Sequence, residues 1–116
     1  MKTRTKTYTY FTDPGHGWLR VKHKELQELG IADQISPYSY MRGDYAYLEE
    51  DCDMAKFMQA KGWLQSDGRV IDGFWDMGLI KHQNCRTRNS AIRSYEHYEE
   101  LIDVLVPLDV YSRIKS

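Results

Sequence analysis

"TYTYFTDPGHGWLRV", residues Thr7 to Val21, decides the fold. Thr3, Thr5, Thr7 and Thr9 alternate with Arg4, Lys6, Tyr8 and Tyr10, a period of two in β-forming residues that predicts a strand. Trp18 to Val21 is short and β-prone, so it reads as the partner strand. The "TDPGHG" between them supplies Pro14 to set φ and Gly15 to accept a positive φ, as a reversal requires. His16 sits between two glycines like a catalytic base on an active loop. It has no marked acid or nucleophile beside it, and the turn reading is preferred.

Outward from this hairpin the periodicity alternates. "KHKELQELGI" places Leu26 and Leu29 on one helical face and stops at Gly30. "ISPYSYMRGDYAYLEED" returns to period two, with Tyr38 and Tyr40 before the Arg42-Gly43-Asp44 tip and Tyr45 and Tyr47 after it, predicting a second hairpin. Asp51 or Asp53 is positioned to cap a helix through Met54, Phe57, Met58 and Lys61. Residues 63–93 are broken by Gly68, Gly73 and Gly78, with "SDGR" as a turn and "FWDMGLIKH" as a bulged strand. "SYEHYEELIDVLVPL" puts Tyr95, Tyr98, Leu101, Ile102 and Leu105 on one face, with Ser94 as cap and Pro107 as stop. It predicts the strongest helix of the chain. These elements specify an α+β domain spanning residues 1–116, with a small, mostly antiparallel sheet built from hairpins and two or three helices packed on one face.

A net charge of −1 conceals segments of opposite sign. Residues 1–24 hold six Lys/Arg against one acid, 25–80 hold four against eleven, 81–93 hold four against none, and 94–116 hold two against five. The two cysteines, Cys52 and Cys85, are too few for a secreted disulfide framework and predict reduced thiols in a cytoplasm. The basic start lacks the apolar core of a signal peptide, and no run reaches the ~20 apolar residues of a membrane span, so neither export nor membrane insertion is expected.

Chemistry-bearing motifs are sparse. Nucleophile-elbow, P-loop, dinucleotide and HExxH patterns are absent, and neither an enzyme nor a cofactor is expected. Glu49, Glu50, Asp51 and Asp53 are adjacent in sequence, but neighbours on a strand point to opposite faces, so they are expected to cap and solvate rather than converge. Cys52, His82 and Cys85, with His16, His23 or His97 as a fourth ligand, form a thin zinc pattern in which only His82 and Cys85 are closely spaced; no metal is expected. Arg42-Gly43-Asp44 spells an adhesion tripeptide and is read as a hairpin tip.

Two binding surfaces follow. Tyr38, Tyr40, Tyr45 and Tyr47 with Glu49, Glu50 and Asp51 would face an arginine-rich protein partner. Alternatively Lys2, Arg4, Lys6, Arg20, Lys22 and Lys24 would meet on one face of the first hairpin with Tyr8, Tyr10 and Trp18 interleaved, extended by Lys81, Arg86, Arg88 and Arg93, to hold nucleic acid.

"HGWL" (16–19), "LGI" (29–31), "ISPYSY" (35–40) and "YLEEDCD" (47–53) together resemble a family of small proteins, without an assigned activity, carried by bacteriophages, prophages and plasmids. The resemblance spans His16 to Asp53 and brings no catalytic residue with it. It implies an accessory protein of a mobile element that acts inside a bacterial host by binding, and often blocking, a host protein or nucleoprotein, counter-defence being one form of that action.

Overall fold

The computed structural model describes residues 6–85 and 90–101. Both predicted hairpins form. β1 (Tyr8–Thr12) pairs antiparallel with β2 (Gly17–Lys22), and β3 (Tyr40–Arg42) pairs antiparallel with β4 (Tyr45–Glu49). The second hairpin closes through Gly43, whose φ of 59° suits a tight reversal, and Asp44. Helix α1 (His23–Glu28) follows β2, and α2 (Met54–Ala60) follows β4. β2 and β4 pair antiparallel, which joins the hairpins. β5 (Ile80–Asn84) adds parallel to β1, and the short β6 (Glu96–His97) adds antiparallel to β3. The result is a six-stranded sheet of order β5-β1-β2-β4-β3-β6.

The register sorts side chains onto two faces. Tyr10 lies opposite Leu19 and Leu19 opposite Leu48, while Val21 lies opposite Ala46. These residues join Leu26 of α1 and Phe57 and Met58 of α2 in the main core, together with Trp63, Phe74 and Tyr98. Burial of each large apolar side chain there contributes about 1.5–3 kcal/mol. On the other face Phe11 lies opposite Trp18, Trp18 opposite Glu49, and Arg20 opposite Tyr47. A smaller cluster of Trp18, Tyr47 and Ile92 forms on that face.

Two buried acids tie the layers together. Glu25 accepts from Lys6 Nζ at 2.8 Å, Tyr8 Oη at 2.7 Å and Lys61 Nζ at 2.8 Å, linking β1, α1 and the end of α2. Burial pushes its carboxyl up, but these three donors outweigh burial and hold it below the usual range. Asp53 immediately precedes α2, as predicted, yet its side chain does not cap the helix. Its Oδ2 instead accepts from the Ser36 amide at 3.0 Å, Ser36 Oγ at 2.7 Å and Ser39 Oγ at 2.6 Å, and its Oδ1 from Lys56 at 2.9 Å. The carboxylate pins the 36–39 segment because that segment offers better-placed donors than the helix terminus does.

Three local expectations are corrected. Gly15 has no positive φ. Phe74–Met77 is a 3-10 turn, leaving Ile80–Asn84 as the strand. The α-helix expected from Ser94 onward does not form: Ala91–Ser94 is a 3-10 turn and Glu96–His97 is strand β6. Tertiary contacts override helical propensity there. The Tyr98 amide donates to the Ser39 carbonyl at 2.8 Å, its hydroxyl donates to the Ala32 carbonyl at 2.7 Å, and Tyr95 packs on Tyr47. Residues 102–106 of that predicted helix lie outside the described residues. Among the described residues no helix is long and apolar enough to cross a membrane.

Asp53→Ala should lower the unfolding free energy by about 2–3 kcal/mol in urea titrations, since it strands the buried Ser39 hydroxyl. Asp13, Glu25 and Asp53 are all held below the usual carboxylate range. Their contribution is present above the unfolded-state values and is lost as pH falls through the lower folded ones. The urea midpoint should therefore drop below about pH 4, with a shallower pH dependence in Asp53→Asn.

Candidate functional site

The β1–β2 connection is organised by Asp13, whose side chain is fully buried. Its Oδ1 accepts from the Gly15 and His16 amides, each at 3.0 Å, an Asx turn that sets the loop. The same carboxylate accepts from Arg93 Nε at 2.6 Å, Arg93 Nη2 at 2.9 Å and the Ser90 amide at 2.8 Å. The Arg93 guanidinium fork is the main cause of the strong depression of the Asp13 carboxyl, assisted by these amides. Gly15 is required by approach rather than by φ: a Cβ there would lie 2.8 Å from Arg93 Nη2. At Gly17 a Cβ would overlap the Tyr10 hydroxyl, which donates to Glu50 Oε2 at 2.6 Å.

This loop presents His16 toward the end of β4. His16 Nδ1 lies 3.3 Å from Glu49 Oε2, so the expectation that this histidine lacks an acid partner is corrected. Glu49, Glu50 and Asp51 also converge, contrary to the sequence reading. With His16 they offer ligand atoms all within 4.8 Å of one another. Strand alternation does not separate them because β4 ends at Glu49, and the turn beginning at Glu50 folds the next carboxylates back. The Asp51 amide donates to Glu49 Oε1 at 2.9 Å within that turn.

A cavity of about 360 Å³ opens beside this cluster, lined by His16, Trp18, Tyr38, Tyr40, Glu49, Asp51, Cys52 and Arg93. Four segments wall it: the 13–18 loop, the 36–40 segment pinned by Asp53, the end of β4 with the turn after it, and the 90–93 segment through Arg93. Trp18 and Tyr40 meet edge to face at 6.2 Å, and Tyr40 stacks on His97 at 5.0 Å. Tyr38 is 73% exposed at the rim. Trp18 Nε1 is buried with no hydrogen-bond partner among the described residues. Arg93 lies over the Trp18 ring at 5.7 Å, but its charge is committed to Asp13. The cavity therefore joins two carboxylates to aromatic walls, without a free fixed cation among the described residues of its lining. The imidazole and carboxylates have the donor chemistry of a divalent-ion site, although the cavity far exceeds the volume of one ion.

The remaining sequence-predicted residues are dispersed. Tyr45 and Tyr47 lie further along the same sheet face, outside this cavity, and Tyr47 is buried against Trp18 and Ile92. Cys52, His82 and Cys85 do not gather: Cys52 lines the cavity, His82 sits between Tyr10 and Trp75, and Cys85 borders a separate cavity. The basic hairpin face does not form as expected. The register pairs odd-numbered residues of β1 with even-numbered residues of β2, so Lys6 goes to Glu25 on one side while Arg20 lies on the other. Arg93 belongs to Asp13. Arg20, Lys22 and Lys81 share the face opposite the main core. Lys2, Arg4, Arg86 and Arg88 lie outside the described residues. Asp13 was not anticipated as a site residue; the only local signal was Asp-Pro-Gly, which marks a side-chain-capped turn.

Gly17→Ala should destabilise the fold by about 1–3 kcal/mol in urea titrations by forcing Tyr10 away from Glu50. The comparisons with known proteins returned nothing: no protein-family model, no curated protein and no solved structure matches this chain.

Proposed function

We propose that this chain is a non-enzymatic binding protein whose acidic, aromatic cavity captures a cationic side chain of a partner protein. The observation that carries the reading is the combination of Glu49 and Asp51 with Trp18, Tyr38 and Tyr40 around one opening, while the lining cation Arg93 is already neutralised by Asp13. Carboxylates supply charge-assisted hydrogen bonds to a guanidinium, and aromatic rings supply cation–π contact at its planar faces. Arginine suits such a site better than lysine because the planar fork can meet a carboxylate and stack at once. The aromatic walls and the volume favour an organic cation over a bare metal ion, which would leave most of the space unused. The resemblance to small proteins of phages, prophages and plasmids supports a host protein or nucleoprotein as the partner and the bacterial cytoplasm as the setting. Inhibition of a host defence component is the activity such binding would serve.

Fluorescence anisotropy with a labelled arginine-rich peptide tests this. Binding should be lost when arginine is replaced by neutral citrulline. It should weaken at least roughly tenfold, about 1.4 kcal/mol, in the Glu49→Gln, Asp51→Asn double variant. Equal binding of both peptides, or by the double variant, would refute the proposal, as would displacement of the peptide by stoichiometric zinc or manganese.

A further inference from the structure

The sheet face that carries Trp18 has a second basin, of opposite character to the cavity described above. The register sets Lys81, Thr9, Arg20, Tyr47, Tyr40 and His97 in one row across the strands, and Lys22, Tyr45 and Arg42 in the next. The Arg20 guanidinium lies 4.7 Å from the Tyr45 ring centroid and 5.3 Å from that of Phe11. Arg42 lies 5.0 Å over Tyr95. Cations and rings are thus interleaved on one surface rather than segregated.

Ile92 covers Trp18 and Tyr47, but Phe11, Tyr45 and Tyr95 remain only half-buried beside it. Between them lies a cavity of about 430 Å³, whose lining includes Phe11, Arg20, Tyr47, Gln83, Asn84 and Tyr95. That volume falls within the ~300–1,000 Å³ range of small-molecule sites. A smaller hollow lined by Arg20, Lys22 and Tyr45 adjoins it at Arg20. Among the described residues neither lining contains a carboxylate. Among the paired strand positions, the acid brought to this face is Glu49, beyond Trp18 at the other end. Lys22, Lys81, Arg42 and Gln83 are exposed.

We propose that this basin binds single-stranded nucleic acid, seating a base against Phe11, Tyr47 and Tyr95 while Arg20, Lys22 and Lys81 hold the flanking phosphates. The charge complementarity is to a polyanion, and the half-buried rings narrow the class to one with flat faces to stack. Gln83 lies at the cavity wall, where its amide can meet a base edge by donating and accepting at once. A duplex keeps its base faces stacked against one another and cannot offer them to a concave site. This ligand lies beyond the cationic side chain proposed for the first cavity, and the two sites share no lining residue among those described.

The test is anisotropy with labelled single-stranded DNA and RNA of about 12 nucleotides, the matched duplex and inorganic polyphosphate as competitor. Single strands should bind, and affinity should fall as salt rises from about 50 to 200 mM. The Lys22→Glu, Lys81→Glu pair should weaken binding at least roughly tenfold and reduce the logarithmic salt slope by roughly 1.4. Gln83→Ala, an exposed and structurally mild change, should alter preference among bases. The Glu49→Gln, Asp51→Asn variant should bind oligonucleotides as wild type does, which separates this site from the first. No complex at about 50 mM salt would overturn the proposal. So would equal affinity for the duplex, equally effective competition by polyphosphate, or undiminished binding by the lysine pair variant, provided its circular dichroism and thermal midpoint match wild type.

Discussion

The buried carboxylate of Asp13 is the constraint on which the rest of the functional architecture depends. One side chain closes the β1–β2 loop through two amides and holds the 90–93 segment across the sheet through Ser90 and Arg93. The first set of bonds places His16 against Glu49. The second places Ile92 on Trp18 and Tyr47. An ionised carboxylate is costly to bury alone, and here that cost is offset because every contact is a donor and one donor is a guanidinium. Asp13 and Arg93 neutralise each other, which leaves the neighbouring acids of the cavity without that cation.

The 90–93 segment also divides the sheet face into two compartments. One is walled by aromatics and carboxylates, the other by aromatics and cations. Their contrast arises from ordinary strand geometry. Glu49 and Arg20 flank the Trp18–Tyr47 cluster on neighbouring strands, one at the loop end and one toward the middle of the sheet. A nucleoprotein, with basic side chains and exposed bases in one assembly, is the partner class to which both proposed ligands belong.

Local patterns made much of the scaffold legible. Alternation around Tyr8 and Tyr10 and around Tyr45 and Tyr47 marked real strands, and Leu26 with Gly30 marked a real helix and its stop, because each signal acts within a few residues. The 94–101 segment was misread for a related reason. Its tyrosines have helical spacing, but their burial is satisfied by Tyr47, Ser39 and Ala32, partners about 50 or more residues away that no local period can register. The acids after β4 were visible individually, while their convergence on His16 depended on where the strand stopped.

The sequence by itself determined the hairpins, the short helices and the segmented charge, since these follow from neighbouring residues and their turn chemistry. Only the tertiary structure decided which charges share a surface. The β1–β2 register sent Lys6 to Glu25 and Arg20 to the opposite face, and Asp13 claimed Arg93 from a distant segment. A shift of one residue in that register would exchange the faces, because side chains alternate along a strand, and composition is the same either way.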